Sequence, residues 1–303
     1  MMARPQSTRA RILVPFAIVT LIWGSTWLVI RDQISVVPAS WSVTYRFLIA
    51  GLAMFAFARA KGERVRLDGA GWLFAAAIGT LQFVLNFNFV YRAEAFITSG
   101  LVAVVFALLL VPNALLARLF LGQRLGRQLL VGSGIAMAGV ALLFVHEVRS
   151  DPHGPATALT GIGWTLLAIL SASSANVLQA TPTAKRYPML PTLAVAMLIG
   201  AGLDAVFAFL TVGPPVVEMR IGYLLGILYL ALFASALAFP LYYGVLRVIG
   251  PAKAAYSSVI VPVIAMLLST LFENYRWSPL AAGGAALAGA GLVVALTARR
   301  PAR

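Results

Sequence analysis

Runs of about twenty apolar residues recur along the chain from Leu13 to Leu296, and this recurrence decides what the chain can fold into. At 1.5 Å per residue, a helix of that length crosses a hydrocarbon core of ~30 Å. Ten runs are legible, at residues 13–30, 41–58, 72–91, 97–119, 129–145, 161–179, 191–212, 222–245, 252–272 and 279–298. Little sequence is left for a soluble domain, and only 11% of the residues are charged, against about 25% in soluble domains. The expectation is an all-α polytopic membrane protein of ten transmembrane helices, with the lipid bilayer as its solvent.

A net charge of +14 would suit a nucleic-acid partner if it formed one patch, but the basic residues lie between the apolar runs, so none is expected. Arg59, Lys61, Arg64, Arg66, Arg118, Arg124, Arg127, Lys185, Arg186, Arg247 and Lys253 fall on the side of the termini, which themselves carry Arg4, Arg9, Arg11, Arg299, Arg300 and Arg303. The other side has Arg31, Arg92, Arg149, Arg220 and Arg276. Cytoplasmic loops retain Lys and Arg, so both termini are expected in the cytoplasm, with the chain in the cell's inner (plasma) membrane. The basic start resembles a signal peptide, yet the apolar run that follows exceeds an h-region of about 7–15 residues and reads as a retained first helix.

The chain has no cysteine, which excludes disulfides, thiolate metal sites and cysteine nucleophiles. His146 and His153 share an outer loop with Glu147 and Asp151, but without a metal-ligand spacing. No catalytic residue, metal or cofactor is expected.

The two halves align at an offset of about 150 residues. Pro112 begins one copy of the best-matching stretch and Pro262 the other, with Gln123 opposite Glu273. Gly132 then meets Gly284, Gly139 meets Gly291, and Gly71-Trp72 meets Gly222-Tyr223. Residues 1–150 and 151–303 thus read as two five-helix repeats. An odd number of crossings inverts the second copy, and inverted copies commonly enclose a transport site near the midplane that rocks between inward and outward openings.

The chain resembles the drug/metabolite transporter superfamily, and within it the EamA-type family of ten-helix proteins. The resemblance covers nearly the whole chain and is carried by Trp23-Gly-Ser-Thr-Trp27, Pro38 with Tyr45-Arg46-Phe47, Thr98-Ser-Gly-Leu-Val-Ala-Val-Val-Phe106, Gly122-Gln-Arg-Leu125, Pro251-Ala-Lys253, Pro262 and Glu273. One departure is Gln123, where the family usually has Glu. The resemblance implies a secondary transporter that exports small metabolites and binds no organic cofactor; the bacterial members it looks like export amino acids, aromatic ones among them. Export of other metabolites or drugs, or a non-transporting scaffold, are the alternatives.

Polar side chains within apolar spans are costly unless they face protein or water, so they are the site candidates. On a straight helix Gln82, Asn86 and Phe89 share one face, offering amides and an aromatic wall to an uncharged polar ligand. Trp23 would add a second aromatic surface, and Trp164 and Asn176 further contacts. Arg46 and Asp204 are the charges deep in spans, at similar depths, placed to pair with each other or to line an outward vestibule. Asp204 is then the first candidate to carry a coupled proton and Glu273 the second. Tyr242, Tyr243 and Tyr256 are read as interfacial anchors or an inner gate. The glycines of the fifth and tenth spans are read as close helix contacts, within the chain or across a homodimer.

Overall fold

In hydrocarbon every backbone N–H and C=O must find its partner within its own segment, so long apolar runs become helices. A computed structural model describes residues 8–123, 126–150, 155–254 and 257–296, and its secondary structure is entirely helical there. In chain order the long helices are α1 (Thr8–Gln33), α2 (Ala39–Ala60), α3 (Gly69–Glu94), α4 (Ser99–Leu121), α5 (Arg127–Ser150), α6 (Pro155–Gln179), α7 (Met189–Val212), α8 (Ile221–Ile249), α9 (Ser257–Phe272) and α10 (Pro279–Leu296). Among the described residues eight helices are long and apolar enough to cross a membrane, and the shorter apolar stretches Val261–Phe272 and Pro279–Ala295 accompany them. Large side chains such as Leu73, Leu119, Phe209, Leu210 and Leu271 are exposed on the helices' outward faces, as lipid-facing residues should be.

Helix ends follow local chemistry. Asp68 caps α3, its Oδ1 accepting from the Gly71 N–H at 2.8 Å and from the Tyr187 hydroxyl at 2.6 Å. Gly250 stops α8 with φ +86°, and Pro251 opens a one-turn helix, Pro251–Ala254, so α9 starts later than the apolar run beginning at residue 252 suggests.

Two helices leave the i→i−4 ladder partway along. α3 is a π-helix over Gly79–Asn86 and α8 over Leu232–Leu237. Such wide turns disturb the regular pairing of carbonyls, and side chains contribute partners. Trp23 Nε1 donates to the Ala234 carbonyl at 3.1 Å, and Ser235 Oγ donates to the Leu230 carbonyl at 2.8 Å.

The helices interlock with α2 on α7, α1 on α9, α4 on α9, and α3 on both α6 and α7, while α8 lies against α1 and α2. Phe47, Phe83, Phe87 and Phe239 meet at the centre with ring centroids 4.8–6.1 Å apart. Lipid is as apolar as these rings, so they cohere through dispersion and shape and not by escaping water. The closest backbone approach lies at the edge, between α5 and α10. A Cβ on Gly139 would lie 2.2 Å from Ala288 N and 2.6 Å from the Gly284 carbonyl oxygen. One on Gly291 would lie 2.2 Å from Ala136 N and 2.7 Å from the Gly132 carbonyl oxygen. Gly132, Gly139, Gly284 and Gly291 are thus used inside the chain, whereas Gly134, Gly283 and Gly289 have nothing within 4 Å of where a Cβ would sit.

Candidate functional site

The irregular turns of α3 and α8 face a central cavity of about 100 Å³, several times the ~10–15 Å³ that one water needs on this measure. Its wall combines Trp23, Thr26, Trp27 and Ile30 of α1, Arg46 of α2, Gln82, Asn86, Phe87 and Val90 of α3, Phe106 and Leu109 of α4, Asn176 of α6, Phe239 and Tyr242 of α8, and Pro262 of α9. Most of this surface is apolar and aromatic, with a few convergent polar groups, the composition of a small-molecule site.

Aromatic rings shape it. Trp23 packs on Phe239 at 5.4 Å and on Tyr242 at 4.9 Å, and Trp27 on Phe106 at 5.5 Å. Two polar atoms on the wall, Trp27 Nε1 and Asn86 Oδ1, have no protein partner. At the end nearer the termini, Asn176 Nδ2 donates to Asn113 Oδ1 at 3.3 Å and to the Tyr242 hydroxyl at 3.4 Å. The Tyr243 hydroxyl donates to Gln82 Oε1 at 3.2 Å, fixing that amide from behind.

Arg46 is 1% exposed. Its Nε donates to Ser235 Oγ at 2.9 Å, its Nη1 to the Tyr91 hydroxyl at 3.5 Å, and its guanidinium lies 4.3 Å from the Phe87 ring centroid. The expected pairing with Asp204 is not made. Asp204 is fully buried between α7 and α3, where Asn88 Nδ2 donates to its Oδ1 at 2.6 Å, and it does not reach the cavity. Equal depth along two helices places residues in one layer without turning them towards each other.

Of the other expected residues, Trp23, Gln82, Asn86, Asn176 and Tyr242 come together on the wall. Phe89 and Trp164 do not: they stack on each other at 5.5 Å, with Arg92 5.4 Å from the Trp164 ring centroid. The reason lies in the π-turn, which takes more residues per turn than an α-turn, so Phe87 and Val90 succeed Asn86 on the cavity side and Phe89 turns away. Trp164 sits eight residues before Ala172, roughly 12 Å along α6 from the wall. Tyr242 and Tyr243 are buried in the core and are not interfacial anchors, because α8 continues past them to Ile249. Tyr256 lies outside the described residues.

Three contributors escape a reading of the sequence. Ser235 is a lone polar residue in an apolar run, a signal that was there to be found. Tyr91 and Glu94 sit near a span end, where polar residues are ordinary. Glu94 is nonetheless fully buried, and neither carboxylate oxygen has a hydrogen-bond partner. Nearby, Glu273 accepts from Ser99 Oγ at 2.6 Å. Among the described residues no cluster of three or more His, Cys, Asp or Glu side chains could hold a metal.

Charged groups outside the spans tie helices at both ends. Hydrogen bonds from Tyr187 and the Gly71 N–H hold the Asp68 carboxyl below its usual pKa, and Asp68 in turn raises that of Tyr187. At the opposite end Arg220 bridges Asp32 at 2.9 Å and Glu218 at 2.7 Å, which raises its pKa.

Comparison with known proteins bears on this site. The profile described as the EamA-like transporter family matches twice, at residues 11–145 and 159–297. The inner membrane transporter YedA of Escherichia coli (strain K12) is 30% identical over 260 residues, covering 82% of this chain and 79% of its own. A protein of Salmonella typhimurium named "probable amino-acid metabolite efflux pump" is 25% identical over 300 residues, 91% of this chain and 92% of its own. A crystal structure that is 20% identical overlays 95% of this chain and 98% of its own with a TM-score of 0.70, a likeness of fold.

Proposed function

From the premise that this chain belongs to the EamA-like transporter family and is a multi-pass inner-membrane protein, we propose that it exports small metabolites, amino acids with aromatic or apolar side chains first among them, through the cavity between α1, α3 and α8. The observation that carries this reading is the composition of the cavity wall: aromatic and apolar surface around two amides and one guanidinium. Amides can donate to and accept from a substrate's polar end while the rings hold its body. The relative named for amino-acid metabolite efflux supports the substrate class.

Ten spans, as two inverted five-helix copies at residues 1–150 and 151–303 with both termini in the cytoplasm, give this cavity its alternating access. Three features support that arrangement. The family profile matches each half once. The π-turn at Leu232–Leu237 falls opposite residues 81–86 when Gly71 is set against Gly222. The glycine contacts of α5 and α10 exchange partners in the same alignment, Gly139 with Gly284 and Gly291 with Gly132. Because the chain has no cysteine, single introduced cysteines at Arg66 and Arg220, labelled from one side in intact cells, report on the topology directly.

The test of function is flux in proteoliposomes with a panel of labelled amino acids. Gln82→Ala and Asn86→Ala should slow flux, and Trp164→Ala, away from the wall, should not. A solute that emerges chemically altered, or equal flux in empty and loaded liposomes for every solute, would overturn the carrier reading. Buried carboxylates able to carry a coupled proton are Asp204 and Glu94, and flux against a pH gradient in Asp204→Asn and Glu94→Gln assigns that role.

A further inference from the structure

A buried cation is expensive unless a counter-charge and hydrogen bonds accompany it, so the surroundings of Arg46 are informative. Arg46 is the sole formally charged residue on the cavity wall, and none of the wall residues is acidic. Among the described residues no carboxylate lies within the 4.0 Å of an ion pair. Asp204 is engaged by Asn88, and the Glu94 oxygens make no hydrogen bond, so neither serves as its partner.

The guanidinium is also only partly used. Nε is bonded to Ser235, Nη1 makes one long contact with Tyr91 at 3.5 Å, and Nη2 has no hydrogen bond. An arginine with its Nη edge open presents the fork that fits a carboxylate. On the same wall the Trp27 indole N–H is an unused donor and Asn86 Oδ1 an unused acceptor. Phe87 lies under the guanidinium, and the Trp27–Phe106 pair provides apolar surface.

We propose that the open edge of Arg46 anchors the carboxylate of the transported molecule, so that the cavity takes small monocarboxylates with an apolar body and rejects the corresponding amines. This rests on the cavity being the transport site and narrows its substrate class. A zwitterionic amino acid satisfies it: the carboxylate supplies the missing negative charge, and the ammonium meets uncharged acceptors such as Asn86 Oδ1. An amine without a carboxylate would place a second positive charge beside Arg46 with nothing to offset it.

Binding to the purified full chain, followed by quenching of tryptophan fluorescence and by calorimetry, tests this with three matched probes: L-phenylalanine, 3-phenylpropionate and 2-phenylethylamine. Both carboxylates should bind, and the amine at least ~10-fold more weakly. Arg46→Gln should weaken the carboxylates on the order of 10- to 100-fold, the value of a charge-assisted hydrogen bond, without weakening the amine. Arg46→Lys should retain part of the preference. Should the Arg46 variants not fold, Trp27→Phe removes the neighbouring donor, keeps the ring, and should weaken the carboxylates alone. An amine that binds as tightly as its matched acid, or an acid-to-amine ratio unchanged in folded Arg46→Gln, overturns the proposal. So does failure of both carboxylates to bind, and flux of some other solute in liposomes would then leave the export reading standing.

Discussion

Placing a methyl group on Gly139 tests the tightest contact in the molecule. Its Cβ would lie 2.2 Å from Ala288 N, where ordinary contact is 3.4–4 Å, so α5 and α10 must part by roughly 1 Å. Overpacking of this kind costs about 1–3 kcal/mol, and alanine returns at most about 1 kcal/mol of helix propensity. The obstacle is main chain, which cannot swing aside as a side-chain tip can, so the upper part of the range applies and a net loss of about 1–2 kcal/mol is expected. Gly291→Ala should behave alike, and the double variant should cost less than the sum, since helices parted for one methyl already accommodate the other. Gly134→Ala and Gly289→Ala, on the same two helices with open space around them, are the controls and should be neutral or stabilising. Thermal unfolding in detergent measures all of these. If Gly139→Ala unfolds at or above the temperature of Gly134→Ala, the close approach of α5 to α10 is refuted.

Three further outcomes are expected. The Asp68 carboxyl is held below its usual value of 3.8, so the unfolded chain takes up the proton at a higher pH than the folded one; its stabilisation is complete above that value and lost as pH falls below it. Acid unfolding of Asp68→Asn, compared with the parent from about pH 5 to 2, should therefore be less steep in pH, and identical slopes would mean the cap contributes nothing. Asp204→Leu should lower thermal stability by removing a charge-assisted bond of about 1.5–3 kcal/mol between α7 and α3 and orphaning the Asn88 amide, while phenylalanine affinity stays unchanged because Asp204 is off the wall. Glu94→Gln replaces a buried carboxyl that has no partner with a neutral group of the same shape, and should leave the unfolding temperature unchanged or raise it.

Hydropathy and charge were enough to read helices and an inner-membrane setting, because the bilayer admits so few solutions. The site was only partly legible, and the misses share a cause. Asn86 and Phe89 were grouped by the 3.6-residue period, which the π-turn breaks; nothing in Gly79–Asn86 announces a wider turn. Arg46 and Asp204 were matched by depth, but rotation about each helix axis decides contact, and Asn88 intercepted the carboxylate. Trp23, Gln82 and Asn176 were found because a polar or amphipathic side chain at mid-span has few places to go except inward. Glycines at 132 and 139 signalled a close contact, yet only the fold says that the partner is α10 of the same chain.

The wide turn of α8 makes chain length itself part of the recognition surface. Deleting any one residue between 232 and 237 would let the helix close to its regular pitch and swing everything beyond by about 100°. Phe239 and Tyr242 would leave the cavity and other faces of α8 would take their place, with hydropathy and helix count almost untouched. Homologues that differ by one residue in this stretch can therefore present quite different walls to a solute, and an alignment that smooths over such a gap hides the difference.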